Sequence, residues 1–256
     1  MRQLAAFTKK EFIEVWRTHK FMILLIVFSL FGIMNPAIAK LTPWLMEQFA
    51  GTMEESGLLI TEVTVNAMTS WTQFYKNIPM ALIVFLLMFS GIMATEIHKG
   101  TLINMITKGL SRKTIIFAKT TVMIALWTLN YWLCFAITYA YNAYFWDNSI
   151  AKDVFFAAFC VYMLGVWLIS LLMLMSTIFT SASAVTVGTG SVFFVLYLIG
   201  MLPKLKKYLP TKLPDALNLL LGVGEKGDYA LSLGIAACLV IIQLVASVLI
   251  FNKKKI

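Results

Sequence analysis

The sequence predicts an all-α polytopic membrane protein. Its expected parts are six transmembrane helices, an interfacial amphipathic helix at the N-terminus, a polar segment on the cytoplasmic side between spans two and three, and a broken extracellular hairpin before span six. Composition and patterning carry this reading. The chain is 60% hydrophobic and 13% charged, with a mean hydropathy of +0.84, whereas a soluble domain carries about 45–50% apolar and about 25% charged residues. The apolar residues also fall in continuous runs, most of them long enough to cross roughly 30 Å of hydrocarbon. The chain is long enough for one membrane domain and leaves no sizeable soluble domain beside it.

Residues 1–20 read as the interfacial helix. Leu4, Phe7, Phe12, Val15 and Trp16 fall on one side of a helical wheel, and Lys9, Lys10, Glu14 and Arg17 fall largely on the other. Such a helix lies flat, its apolar face in the bilayer and its basic face towards anionic headgroups. Glu11 and Ile13 break the pattern. Span one is 21–39, with Asn35-Pro36 expected to kink or end it. Ala37-Ile38-Ala39 has the form of a signal-peptidase site, but the spans that follow argue for retention. Residues 40–76 form a polar loop in which Trp44, Trp71 and Tyr75 suit the headgroup level.

Span two is 77–95, with Pro79 in its first turn. The polar stretch 96–119 follows, with five basic residues and Glu96 at its entrance. Gly100 and Gly109 are expected to bound a short helix. Span three, 120–145, ends in an aromatic belt. Span four is 154–179. The short uncharged turn after it makes span five, 185–202, its antiparallel neighbour. Ala184, Gly188, Gly190 and Ser191 crowd the start of span five, and Ala184 with Gly188 has the spacing that lets helix backbones approach closely. Residues 203–229 start basic and contain an apolar patch, 217–221, too short to span. Span six is 230–251, followed by a basic tail.

The net charge of +9 reflects Lys and Arg flanking the spans rather than a face for nucleic acid. With the N-terminus inside, thirteen basic residues lie inside and eight outside. That asymmetry places both termini in the cytoplasm of a multi-pass cell-membrane protein, with bacterial origin expected. Five of the outer residues come from 203–229, where Lys204, Lys206, Lys207 and Lys212 form a cluster suited to phosphates or an anionic substrate. Cys134, Cys160 and Cys238 each sit in an apolar run and suggest no disulfide framework. His19 and His98 lack a second ligand at metal spacing, so no metal site is expected.

Some chemistries are disfavoured. No span carries a charge in its middle, which argues against an ion-coupled carrier. No nucleophile–base pair is readable. None of the 14 glycines is followed by lysine, so the phosphate-binding loop motif is missing. ATP, if used, would be bound with magnesium by another chain, and no cofactor is expected on this one.

The order of Phe74-Tyr75-Lys76-Asn77, Gly91, Glu96, Lys99-Gly100-Thr101-Leu102, Ser111-Arg112 and Lys119 resembles the permease subunit of type-2 ABC exporters. Lys108-Gly109-Leu110 departs mildly from the family pattern before the Ser-Arg pair. The resemblance covers most of the chain. It implies a permease pairing with a second permease chain, same or related, above two ATPase subunits. It makes 96–119 a coupling segment, with Glu96, Lys99, Gly100, Thr101, Leu102, Met105, Ser111 and Arg112 as coupling residues. It puts spans one, two and five, with the small residues of span five, at the dimer interface and pathway. The largely apolar pathway suggests a hydrophobic or amphipathic substrate, such as a peptide, antimicrobial peptide or toxin. The function expected is therefore non-enzymatic. The rival readings are an ion-gradient-driven carrier and a non-transporting immunity or scaffold protein. For Glu96, coupling and simple helix capping are compatible. For Arg112, Lys113 and Lys119, the alternative is the basic flank of span three.

Overall fold

The computed structural model describes residues 2–55 and 65–254. Six helices in it are long and apolar enough to cross a membrane. Helix α1 (Arg2–Arg17) precedes α2 (Lys20–Glu55), α3 (Ala67–Phe89), the short α4 (Ala94–His98) and α5 (Thr101–Thr107), and then α6 (Arg112–Phe145). Helices α7 (Val154–Ile178) and α8 (Ala182–Ile199) follow, then α9 (Pro203–Lys206), a 3-10 stretch Pro210–Ala216, α10 (Leu217–Leu220) and α11 (Gly227–Lys253). The six spans are α2, α3, α6, α7, α8 and α11. Hydrocarbon cannot hydrogen-bond a bare backbone, so each crossing segment must satisfy its amides internally, and a helix does this.

The helices overrun the apolar runs, and the local reasons are visible. Helix α2 does not end at Pro36; it continues through Pro36 and Pro43. A proline frees the carbonyl four residues back. Here that is the Gly32 carbonyl, and the Thr138 hydroxyl of α6 donates to it at 3.1 Å. The same hydroxyl accepts from Asn35 Nδ2 at 3.1 Å, and Asn35 Oδ1 accepts from Asn77 Nδ2 at 2.8 Å. One buried polar ladder thus joins α2, α3 and α6.

Helix α3 begins ten residues before its apolar run because Asn66 caps it, its side chain accepting from the Thr69 amide. Pro79 therefore lies well inside the helix rather than in its first turn. Trp71 and Tyr75 are buried against protein. Trp71 packs on Phe74 and Phe135 and donates to Asn148 Oδ1 at 3.3 Å. Helix α6 begins at Arg112, capped by Ser111, whose hydroxyl oxygen accepts from the Thr114 amide. Lys119 therefore lies within α6, about two turns past its start, and is buried.

The core centres on α7. Its Gly165 lies under the Trp127 ring so closely that a Cβ there would stand 2.3 Å from the indole. The Trp127 indole nitrogen donates to the Tyr162 carbonyl at 3.1 Å. Helix α11 packs along α7, and the Ser170 hydroxyl donates to Gln243 Oε1 between them. The segment before α11 folds back as short helical pieces, burying Leu213, Ala216, Leu219 and Leu220. By contrast, α8 buries only Val185 and Thr189.

Candidate functional site

The polar stretch after α3 is shaped by two left-handed residues. Gly100 (φ 67°) joins α4 to α5, and Gly109 (φ 90°) releases α5 towards the Ser111 cap. A β-carbon is disfavoured at these angles, although space is open around both glycines. Between them, Leu102 is fully buried and anchors α5. Thr101, Asn104, Thr107 and Lys108 are exposed. Thr101 donates to the Glu96 carbonyl at 3.2 Å. Met105 and Leu110 line a groove with Gln3, Ala6 and Phe7 of α1.

Glu96 is buried, and its partners come from elsewhere in the chain. Glu96 Oε1 accepts from Lys10 Nζ at 2.6 Å, and Glu96 Oε2 lies 2.9 Å from Lys119 Nζ as an ion contact off the hydrogen-bond direction. Lys119 Nζ also donates to Glu11 Oε2 at 2.8 Å, and Lys10 Nζ donates to Glu11 Oε1 at 2.9 Å. The four side chains close a ring of alternating sign that joins α1, α4 and α6. Glu14 adds a further contact to Lys10 at 2.6 Å. Burial alone would lower the Lys10 pKa, but the hydrogen bonds to Glu14, Glu96 and Glu11 together outweigh it and hold the ammonium above its ordinary range. Glu11, Glu96 and Lys119 are buried and Lys10 is half-buried; loss of a buried member leaves an uncompensated buried charge, at about 3–5 kcal/mol.

Three carboxylates, Glu11, Glu14 and Glu96, come close enough together to suit a cation. The Lys10 and Lys119 ammonium groups already supply the positive charge there. A polar cavity of about 200 Å³ adjoins the ring, with Thr18, Lys20, Thr95 and Lys99 in its wall.

The ring explains why Glu11 breaks the amphipathic pattern of α1. Phe7, Glu11 and Val15 form one buried face, while Leu4, Phe12, Ile13 and Trp16 are exposed. The apolar set grouped on one side of the wheel is therefore split between protein and surroundings. Glu96 pairs with Lys10 of α1 and Lys119 of α6. Lys99 is exposed and outside the ring. Glu11 and Lys10 carried no site assignment from sequence; the four-residue spacing of Phe7, Glu11 and Val15 was the available signal.

Arg112 turns away from the ring. Its Nη1 donates to the carbonyls of Phe251, Asn252 and Lys254 at the end of α11, the last at 2.6 Å. The remaining candidates lie elsewhere. Ala184 and Gly188 are half-buried, and Gly188 sits against Phe179 and Met175. Gly190 and Ser191 are exposed. Gly190 lines an apolar cavity of about 300 Å³ with Leu82 and Leu86 of α3, Leu164 and Leu168 of α7, and Phe193 of α8. In the basic cluster, Lys206 pairs with Asp215 at 2.5 Å and Lys212 donates to the Asp228 carbonyl at 2.5 Å. Lys204 and Lys207 are exposed beside them. Part of that cluster's charge is thus spent within the loop.

A sequence model of the ABC-2 family transporter proteins matches residues 5–221. An uncharacterized transmembrane protein, YxlG, of Bacillus subtilis (strain 168) is 23% identical over 233 residues, which cover 90% of this chain and 89% of that protein.

Proposed function

This chain belongs to the ABC-2 family of transporter proteins, and on that premise we propose that it is the dimerising permease of an ATP-driven exporter. The family makes it a multi-pass membrane subunit of an ABC transporter that associates with ATPase subunits. In our reading, two ATPase chains bind ATP and magnesium beneath two permeases in a bacterial cell membrane, with both termini cytoplasmic. The cargo is hydrophobic or amphipathic, with a peptide or antimicrobial peptide as the leading class. The apolar cavity between α3, α7 and α8, with its leucine and phenylalanine lining, supports that class.

The observation that carries the reading is the largely buried ring of Lys10, Glu11, Glu96 and Lys119. It sits directly behind the exposed α5 and fastens α4 to α1 and to the base of α6. A push on α5 by an ATPase is therefore delivered to a spanning helix instead of being absorbed in a loose linker. Glu96, Gly100 and Leu102 hold the lever. Thr101, Met105 and Lys99 border its face, and Ser111 fixes where α6 begins.

The test uses tagged permease purified from its native membrane. The wild type should bring down an ATPase and stimulate its hydrolysis. Gly100→Pro, which distorts the α4–α5 joint, should retain folded permease by size exclusion but lose that stimulation. A wild-type permease that recovers no ATPase, or a Gly100→Pro variant with unchanged stimulation, would overturn the reading.

A further inference from the structure

Arg112 and Lys254 occupy matching positions. Arg112 opens α6 and donates to the last carbonyls of α11. Lys254, the residue that closes α11, donates through Nζ to the carbonyls of Thr177 at 2.8 Å and Ile178 at 3.3 Å, and reaches Phe179 at 3.5 Å. Those are the last carbonyls of α7. The terminal carbonyls of a helix lack intrahelical partners and carry the negative end of its dipole, so cations are favoured there. Each of the two cations therefore caps a helix other than its own. The Arg112 guanidinium also stands 5.4 Å from the ring of Phe251, which is itself buried. Further into the bundle, Ser170 and Gln243 bond α7 to α11, so whatever moves the end of α11 moves α7 with it.

We propose that Arg112 and Lys254 form a two-step clamp that carries displacement of the 94–111 segment from α6 into α11 and from α11 into α7. It extends the same lever beyond the ion ring, which fastens α4 to α1 and to α6. The clamp rests on the coupling role proposed for that segment, but its geometry is independent of that role. Both are positioning residues: they touch helix ends, not cargo or nucleotide. At the same end of the molecule, α8 starts with a Ser181 cap that bonds only within its own first turn. At this end of the molecule the clamp adds side-chain-to-carbonyl ties among α6, α11 and α7, which α8 does not share among the described residues.

The test places an environment-sensitive fluorophore on a cysteine at Thr180, just beyond the end of α7, or at Lys9 on α1. Both positions are exposed. The background is Cys238→Ser, since Cys238 is the exposed native thiol among the three. The protein is the full permease with its co-purified ATPase in nanodiscs. Arg112→Gln and Lys254→Gln should each abolish the ATP-induced change at 180 and leave that at 9 intact. The double variant should be no worse than either single one. Arg112→Lys and Lys254→Arg should retain the change. Loss at both positions, additive losses, or an undiminished change at 180 would each overturn the clamp. A folding defect would depress both reporters and so counts against it. Without ATP, nitroxide labels at 113 and 180 on the permease alone should give a narrow distance distribution that broadens in either Gln variant; no broadening overturns the clamp even if no ATPase is ever recovered.

Discussion

Helices α7 and α8 are neighbours in sequence, both apolar, and joined by a three-residue turn, yet they are built on opposite plans. Along the apolar stretch of α7, 72% of the residues are buried; along α8, 11% are. Helix α7 has a glycine pressed on Trp127, a hydrogen bond to α11 and a lysine on its last carbonyls. Helix α8 has threonines that bond to their own backbone and an apolar cavity at its side. Hydrophobicity distinguishes water from membrane but not lipid from protein, because a lipid tail is as apolar as leucine. High hydropathy in both helices therefore conceals the difference between an axis and an outrigger. Close contacts and polar ties reveal it.

The comparison can be broken most forcefully at the base of the packed body. Lys119→Leu leaves Glu11 and Glu96 buried with Lys10 as their remaining ring partner, and should cost about 3–5 kcal/mol, read as a large drop in thermal unfolding midpoint in detergent. Gly165→Ala drives a methyl into the Trp127 ring and should cost about 1–3 kcal/mol by the same assay. Asn77→Leu cuts the ladder between α3 and α2 and should cost about 0.6 kcal/mol, reaching about 1.7 kcal/mol at most. On α8, Gly190→Ala meets nothing within 4 Å and should change the unfolding of the chain by no more than about 0.5 kcal/mol. If the exposed face of α8 is where two permeases meet, Ser191→Leu, at an exposed position, should lower the dimer fraction in native mass spectrometry while the midpoint stays put; an unchanged dimer would move the interface elsewhere. The smallest effect concerns pH. The raised pKa of Lys10 means that its contribution is fully present below the ordinary lysine value and is lost only as pH rises through the raised one. Lys10→Met should therefore lower the midpoint equally at about pH 6 and about pH 9.

The six spans were legible because a bilayer demands long apolar runs, and the sequence supplies them. The bend at Gly100 and Gly109 was legible because few residues but glycine tolerate the angles found there. Helix ends were not. Asn66 and Ser111 start α3 and α6 well outside the apolar runs, and hydropathy cannot see a cap. The passage of α2 through Pro36 depended on a hydroxyl at Thr138, more than a hundred residues away. The ion ring was half visible: Glu96 stood out, but Glu11 looked like a flaw in an amphipathic pattern and Lys119 like a basic flank. A buried charge reads as an error until its partner is known. Arg112 stood out by resemblance, but its acceptors are main-chain oxygens, which any residue can supply and no motif can mark.

The paired glycines around α5 have one more consequence. Both sit in open space, so the conformation they impose is local and asks nothing of neighbouring side chains. Among the residues between them, Leu102 alone is fully buried. The exposed positions of that short helix can thus be rewritten with little effect on the membrane bundle, while Leu102 and the two glycines keep its seating. If α5 is the docking element proposed above, the protein carries an interchangeable adapter: a lineage could acquire a different motor by changing a handful of exposed residues, with the membrane bundle inherited intact.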